Sequence, residues 1–435
     1  MKKYLLLSTL ISLSLLACSG DDEEIPTDPG TNDASTNILL IIADDLGLDA
    51  FNGYSEGTVK ANTPNLDQLA ANGLTFNNFW TNSVCSPTRS TILTGKYGYT
   101  TGVRSQGDEI SANETSLQSY INQETDNEYA TAIVGKWHLS GNRFSLDPED
   151  MGIDYYAGLY SGAVSDYYDW DLTEDGTATR QTDYATTKFT DLAIDWVAEQ
   201  TKPWFLWLAY NAPHTPFHAP PQEMHAQGTL ATDQASINAN PMPYYMASIE
   251  AMDFQIGRLL ESLSTAERAN TVIIFMGDNG TPIQVSQTPY GRGKAKGTMY
   301  QGGVNCPLIV SGLGVNRSGT DNALLNSTDL FATIASLAGV SIATQNDSQN
   351  FTSLLSAANN DFRDFTYAEY NDGVTDEWTI RGDNYKLIVN GNGTEEFYNL
   401  ATDPYENSDL MLSSLSSEAQ AAKTALETRL AEIRQ

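Results

Sequence analysis

Five apolar runs of strand length recur along the chain, each bounded by charged or turn-forming residues: NILLIIAD (37–44), YATAIVGKW (129–137), WFLWLAYNAP (204–213), TVIIFMGDNG (271–280) and CPLIVSG (306–312). Continuous rather than alternating apolarity is the pattern of strands buried on both faces. Between them the apolar period becomes helical, in TPNLDQLAANG, FTDLAIDWVAEQ, MASIEAMDFQIGRLLESL and TDLFATIASLAG. The first of these carries helix punctuation, with Thr63 as cap, Pro64 at the first position and Gly73 past the end. Strands alternating with helices predict an α/β fold, a large, mostly parallel mixed sheet flanked by helices on each side. After residue 350 the pattern changes to FTYAEY, WTIRGDNYKLIVN and EEFYNL, followed by a helical stretch over 416–434. This predicts a main domain over 37–350 and a small C-terminal antiparallel sheet with a helix over 351–435. The chain has no internal repeat.

The amino-terminal stretch MKKYLLLSTLISLSLLAC has two lysines, an apolar segment and a small residue before Cys18. This is the layout of a signal peptide over 1–17, and LLAC resembles a bacterial lipoprotein box that makes Cys18 the lipidated amino terminus. An ordinary signal peptide is the alternative. Residues 18–36 are acidic and rich in Pro and Gly, as in a flexible tether. The expectation is a protein exported and lipid-anchored to the bacterial outer membrane or cell surface, with the periplasm as alternative. No later run is long enough to span a bilayer. Of three cysteines, Cys18 goes to the anchor, leaving Cys85 and Cys306, too few for a disulfide framework. A Cys85–Cys306 bridge is open in principle, but Cys306 begins an apolar run and reads as a small core residue. A net charge of −32 excludes nucleic acid as a partner, because no basic stripe is available to displace counterions.

Polar residues follow the apolar runs directly: Asp44 and Asp45, Lys136 and His138, His214, Asp278 and Asn279. Ligands of open α/β sheets bind beyond the carboxyl ends of the strands, so these separated groups converge in one cleft. Three carboxylates packed together repel unless a cation neutralises them. Oxygen-only donors suit Ca²⁺, with Mg²⁺ as the alternative, better than zinc. Singly, DD or DN after a strand is a turn or cap more often than a ligand; the pairing changes the reading. Two histidines beside Lys136 suit proton transfer and anion binding. His218 and His225, further along a proline-rich loop, are read as surface residues. In SPTRSTILTG, Ser86 reads as a cap, Pro87 lies in the first turn and Gly95 follows the end. Cys85 therefore lies at a helix amino terminus, a place that favours an anion or a thiolate nucleophile.

These residues carry a resemblance. SVCSPTRSTILTG (83–95) resembles the signature of the formylglycine-dependent (type I) sulfatases of the alkaline-phosphatase superfamily. Their Cys-x-Pro-x-Arg cysteine is oxidised after translation to an aldehyde. IIADDLG, TPNLDQLAANG, GKWH, APHTP, GDNG and GKAKGTMYQGG are similar to further family blocks in family order, and the likeness runs from about Asn37 to Asn407. It implies that 37–350 is a catalytic sulfatase domain and that Cys85 becomes formylglycine (3-oxoalanine) through a maturation enzyme. It also implies one Ca²⁺ held by Asp44, Asp45, Asp278, Asn279 and the modified Cys85. Arg89 would hold the aldehyde hydrate and the metal-site carboxylates, and Lys136, His138, His214 and Lys296 would surround the sulfate. Lys294 competes with Lys296, which precedes GT as in the family block. Gln301 stands where the family usually has glutamate, and Asn305 where arginine is common, which puts a supporting ion pair in doubt. In the mechanism so implied, a hydroxyl of the hydrated aldehyde attacks sulfur while His214 or Lys296 protonates the departing alcohol. His138 then takes a proton from the other hydroxyl and sulfate is expelled.

The implied function is hydrolysis of sulfate esters on extracellular sulfated carbohydrate. The alternatives are an arylsulfatase, a phosphate or phosphonate ester hydrolase of the same superfamily, and a non-catalytic lipoprotein that binds anionic glycans. DYYAGLYSGAVSDYYDWD (154–171) is either a sugar-stacking wall or a strand pair packed on the core. Trp378 and Arg381 either contact neighbouring sugars or belong to a structural hairpin.

Overall fold

The computed structural model describes residues 36–435; the signal peptide, Cys18 and nearly all of the tether lie outside the described residues. Ten strands form one sheet: β1 (Asn37–Asp44), β2 (Leu74–Phe76), β3 (Ala130–Lys136), β4 (Tyr155–Leu159), β5 (Trp170–Glu174), β6 (Thr177–Gln181), β7 (Trp204–Pro213), β8 (Thr271–Gly277), β9 (Leu308–Gly312) and β10 (Gly319–Asp321). Their spatial order is β10-β2-β9-β8-β1-β7-β3-β4-β5-β6. The central five, β8 to β4, run parallel, and the antiparallel pairs β9 with β8 and β5 with β4 follow on either side. The expected mixed, mostly parallel sheet is therefore present.

β1 shows why its apolarity is continuous. Leu39, Ile41 and Ala43 enter one core, and Ile38, Leu40 and Ile42 enter the other. The first core is covered by α3 (Ala185–Ala198) and α4 (Met242–Ser262); the second by α2 (Cys85–Thr94) and α5 (Asp329–Leu337), with α1 (Pro64–Ala71) on the first side. Each fully buried Leu or Ile contributes roughly 1.5–3 kcal/mol, so a polar residue at any inner strand position is costly.

Two helix starts differ from the sequence reading. Thr63 occupies the cap position of α1, but its hydroxyl donates to Asp67 (3.0 Å). The Asn65 and Leu66 N–H groups donate instead to Asp253 on α4, at 3.2 and 2.8 Å. α2 starts at Cys85 with Val84 as cap residue, so Ser86 lies inside the helix, its hydroxyl accepting from the Gly107 N–H (3.3 Å). Gly95 ends α2 at φ 66°, the left-handed conformation glycine adopts without strain.

The carboxyl-terminal strands β11 (Thr366–Asn371), β12 (Asp376–Arg381), β13 (Tyr385–Val389) and β14 (Glu395–Asn399) form an antiparallel meander. Helix α6 (Ser417–Ile433), capped by Ser416, packs Ala419, Leu426 and Leu430 against Ile380, Leu387 and Phe397. The meander is tied to the main sheet's loops through Lys294, whose ammonium donates to the Tyr405 and Glu406 carbonyls, both at 2.7 Å. A buried Lys386–Glu406 ion pair lies beside Trp80, whose indole donates to Gln301 (3.0 Å). Gln301 thus takes a neutral hydrogen bond in place of the ion pair in doubt.

Candidate active site

The carboxyl ends of β1, β3, β7 and β8 deliver the polar residues to one place. Asp44 ends β1, and Asp45 follows at φ 70°, a conformation that aspartate tolerates better than most residues. Its N–H donates to Asp278 (3.1 Å) and its carbonyl accepts from the Tyr245 hydroxyl (2.8 Å). Asp278 and Asn279 follow β8, and the Asp278 N–H returns to the Ala43 carbonyl at 3.1 Å. Lys136 ends β3 after Gly135 at φ 104°, where a side chain would meet the Ala209 carbonyl at 2.0 Å. His138 adopts φ 59° and lies against Gly162, where a Cβ would come within 2.4 Å of its ring.

Cys85 is the first residue of α2, and its thiol donates to Asp44 (3.3 Å). No side chain caps this helix, so its first turn offers N–H groups and the positive end of its dipole to an anion. One turn on, buried Arg89 donates to Asp278 (2.7 Å) and to the Lys136 carbonyl (2.8 Å). Lys136 pairs with Asp44 at 2.6 Å, Lys296 pairs with Asp45, and its ammonium is 3.9 Å from the Cys85 sulfur. His214 approaches Asp45 at 3.7 Å through Nε2, while Nδ1 contacts the Thr215 carbonyl at 2.6 Å.

The electrostatics follow from dense burial. Burial alone would raise the Asp44 pKa, but Lys136, His214, Arg89 and Lys296 together hold it far below the usual carboxylate range. Asp278 is raised by burial and by Asp44 against the pull of Arg89. Burial, then Lys136 and Arg89, push His138 well below its ordinary value, so its ring is neutral. The Cys85 thiol is pushed up to about 12 by burial and Asp44, and a protonated thiol is a poor nucleophile. Lys296 is raised by Asp45 against the cost of burial.

A divalent cation fits this donor set. Asn279 Oδ1 is buried and accepts no hydrogen bond, while its amide nitrogen donates to Asp45 at 2.7 Å. Asp44, Asp45 and Asn279 add oxygen ligands of the hard type that Ca²⁺ and Mg²⁺ take. The ligand atoms of Asp44, Asp45, Cys85 and His214 lie within 4.8 Å of one another. Asp278 stands outside that group because its two oxygens are turned to the Asp45 N–H and to Arg89.

Every residue singled out at the strand ends is thus brought to the cleft. Lys294 is not; it serves the C-terminal tie. Trp378 and Arg381 are also structural, Trp378 under the Arg434 guanidinium at 3.8 Å and Arg381 bonded to Asn78 (3.0 Å) and the Asp383 carbonyl. Cys85 and Cys306 are both free thiols, and Cys306 is wholly buried. His218 is half-buried rather than a free surface residue: it stacks on Tyr167 with ring centroids 3.7 Å apart and meets the Tyr184 hydroxyl at 3.0 Å. Tyr167, Tyr245 and Gly162 support the site without having been singled out; only the density of tyrosines over 154–171 pointed toward one of them.

Mouse (Mus musculus) arylsulfatase J is 29% identical over 378 residues, covering 77% of this chain and 61% of its own length. Human (Homo sapiens) N-acetylgalactosamine-6-sulfatase is 30% identical over 347 residues, covering 70% and 62%. The chain therefore spans about three fifths of these two relatives. The ulvan-active sulfatase of Formosa agariphila is 25% identical, covering 93% of this chain and 82% of its own. Among solved structures, Ps i-CgsB in complex with k-i-k-neocarrahexaose superposes with a TM-score of 0.79 at 24% identity, covering 92% and 94% of the two chains. The N-sulphoglucosamine sulphohydrolase C-terminal family matches residues 294–435. Because the Sulfatase family matches residues 36–340, well over half of the sequence, the chain belongs to the sulfatase family.

Proposed function

We propose that this protein hydrolyses sulfate esters on extracellular sulfated carbohydrate, using formylglycine made from Cys85 and a Ca²⁺ ion. The observation that carries this reading is the convergence on Cys85, which sits 3.3 Å from Asp44 and 3.9 Å from Lys296 at an uncapped helix start. Asp44, Asp45, Asn279 and the modified residue 85 would hold the ion, joined by Asp278 through an oxygen that also accepts from the Asp45 N–H or Arg89, and its charge would neutralise sulfate oxygens. Hydration of an aldehyde at residue 85 supplies a hydroxyl as nucleophile. Lys136 and Lys296 bring two ammonium groups to the sulfate oxygens, where charge grows in the transition state. Arg89 fixes Asp278 and the end of β3, so the two sides of the cleft keep their spacing. His214 has Nδ1 occupied by the Thr215 carbonyl, which leaves Nε2 as the atom that passes a proton to the departing alcohol. Lys296 is the second candidate for that proton. His138, neutral and with Nδ1 unpartnered, is suited to take a proton when sulfate is released.

The carbohydrate class is supported by relatives rather than by this chain's own loops. One relative is ulvan-active, another acts on N-acetylgalactosamine 6-sulfate by its name, and solved neighbours hold a carrageenan oligosaccharide and D-glucosamine-2-N,6-O-disulfate. A maturation enzyme must act on Cys85 before the chain folds, because the folded thiol is only 3% exposed. Export and lipid attachment at Cys18 complete the proposal, and loss of fatty-acid labelling in Cys18→Ser tests that part.

The test of function is turnover of sulfate and phosphate esters side by side by protein matured in a competent host. Sulfate esters should be preferred, and Cys85→Ala should fall to background. A Cys85→Ala variant with full sulfatase activity ends the proposal. A preference for phosphate makes the protein a phosphohydrolase, and glycan binding without turnover makes it a binding lipoprotein.

A further inference from the structure

The turn that presents His214 is held from one side by a single phenol. Tyr167, 1% exposed, shares its single hydroxyl proton between the Asn211 carbonyl at 2.8 Å and the His214 carbonyl at 2.9 Å. The same Asn211 carbonyl accepts from the His214 N–H at 2.8 Å, so the hydroxyl joins both ends of one tight turn at the end of β7. The Tyr167 ring is fixed in turn. Its face stacks on the His218 imidazole at 3.7 Å with an interplanar angle of 21°. His218 Nδ1 lies 3.1 Å from the Pro216 carbonyl and Nε2 lies 3.0 Å from the Tyr184 hydroxyl, so one neutral tautomer satisfies both ring nitrogens. The brace runs Tyr184 to His218 to Tyr167 to the His214 backbone, with the Tyr167 phenol close enough to Asp44 and Asp45 to feel their charge.

We propose that Tyr167 and His218 are positioning residues which set where the His214 imidazole stands. The inference rests on the sulfatase reading in assigning His214 a proton, but the brace itself is read independently of turnover. A displacement of about 1 Å in a proton-transferring group costs on the order of 100-fold in rate. Tyr167→Phe keeps the stacked ring and removes only the hydroxyl, and His218→Phe keeps a ring on Tyr167 and removes the bond to Tyr184.

The experiment is a double-mutant cycle in the full matured chain with a small sulfate ester. Tyr167→Phe should lower kcat about 10- to 100-fold with KM little changed, and should have no further effect in a His214→Ala background. Selective ¹³C labelling of the four histidines gives the second reading. Tyr167→Phe should shift or broaden the His214 signal while leaving that of His225 in place. An equal loss of kcat in both backgrounds, or an unmoved His214 signal, overturns the brace. Wild-type protein without sulfatase turnover overturns the proposed function instead, and the histidine signals then decide the brace alone.

Discussion

Lys294 and Lys296 stand two residues apart and serve different ends of the molecule. Lys296 is paired with Asp45 and near Cys85, whereas Lys294 donates to two backbone carbonyls and to Asn407 at 3.1 Å. Lys296→Met should lower kcat/KM by about 100-fold or more with a thermal midpoint near wild type. Lys294→Met should do the reverse, costing about 1–3 kcal/mol through two unpaired carbonyls while leaving kcat within a few-fold. Steady-state rates and thermal melts on both variants check the pair; a catalytic loss in Lys294→Met would reverse the assignment. The sequence already separated these lysines only through the resemblance, since both sit in one glycine-rich loop. Asp44, Asp45, Asp278 and Asn279 were legible from first principles because each follows an apolar strand. Tyr167 and His218 were not, because their partners lie tens of residues away and a proline-rich loop gives no periodic sign of burial.

Among the elements, the strands were the most readable, since β1 and β7 coincide with uninterrupted apolar runs that only a doubly covered sheet can bury. Helix starts were less so. The α1 N–H groups are satisfied by Asp253 from another helix, and α2 starts without a side-chain cap, neither of which local sequence displays. The tyrosine-rich stretch resolved into strands β4 and β5 with Tyr167 in the loop between them, and the buried members pack on the core as a strand pair does. His218, in the loop after β7 and stacked on Tyr167, carries a pH dependence. Burial pushes His218 down to about 4, against a small pull from the Pro216 carbonyl. Its folded pKa lies below the unfolded value, so the unfolded chain binds the extra proton first and stability falls as pH drops from about 6.5 to about 4. Urea melts across that window should show His218→Phe losing less stability than wild type, by up to about 3 kcal/mol. Equal losses in both proteins would mean that His218 carries its proton freely in the folded state.

At the scale of the whole molecule, a net charge of −32 surrounds a site proposed to receive polyanions. Long-range repulsion should slow encounter at low ionic strength, so rates on polymeric sulfated carbohydrate should rise with moderate salt before specific contacts weaken. A small, singly charged sulfate ester should show little of this rise, and a polymer rate that falls steadily from low salt contradicts the argument. The small C-terminal antiparallel sheet was visible in the change of pattern after residue 350, but its ties to the rest of the molecule, Lys294 to the 405–406 carbonyls and Lys386 to Glu406, join positions with no sequence relation. All of the chemistry argued above turns on what residue 85 is in the mature protein. Mass spectrometry of the peptide spanning Cys85, from protein produced with maturation machinery, measures it directly. The account predicts the mass of the aldehyde in active protein; an unmodified thiol in protein that turns over sulfate esters at full rate contradicts it.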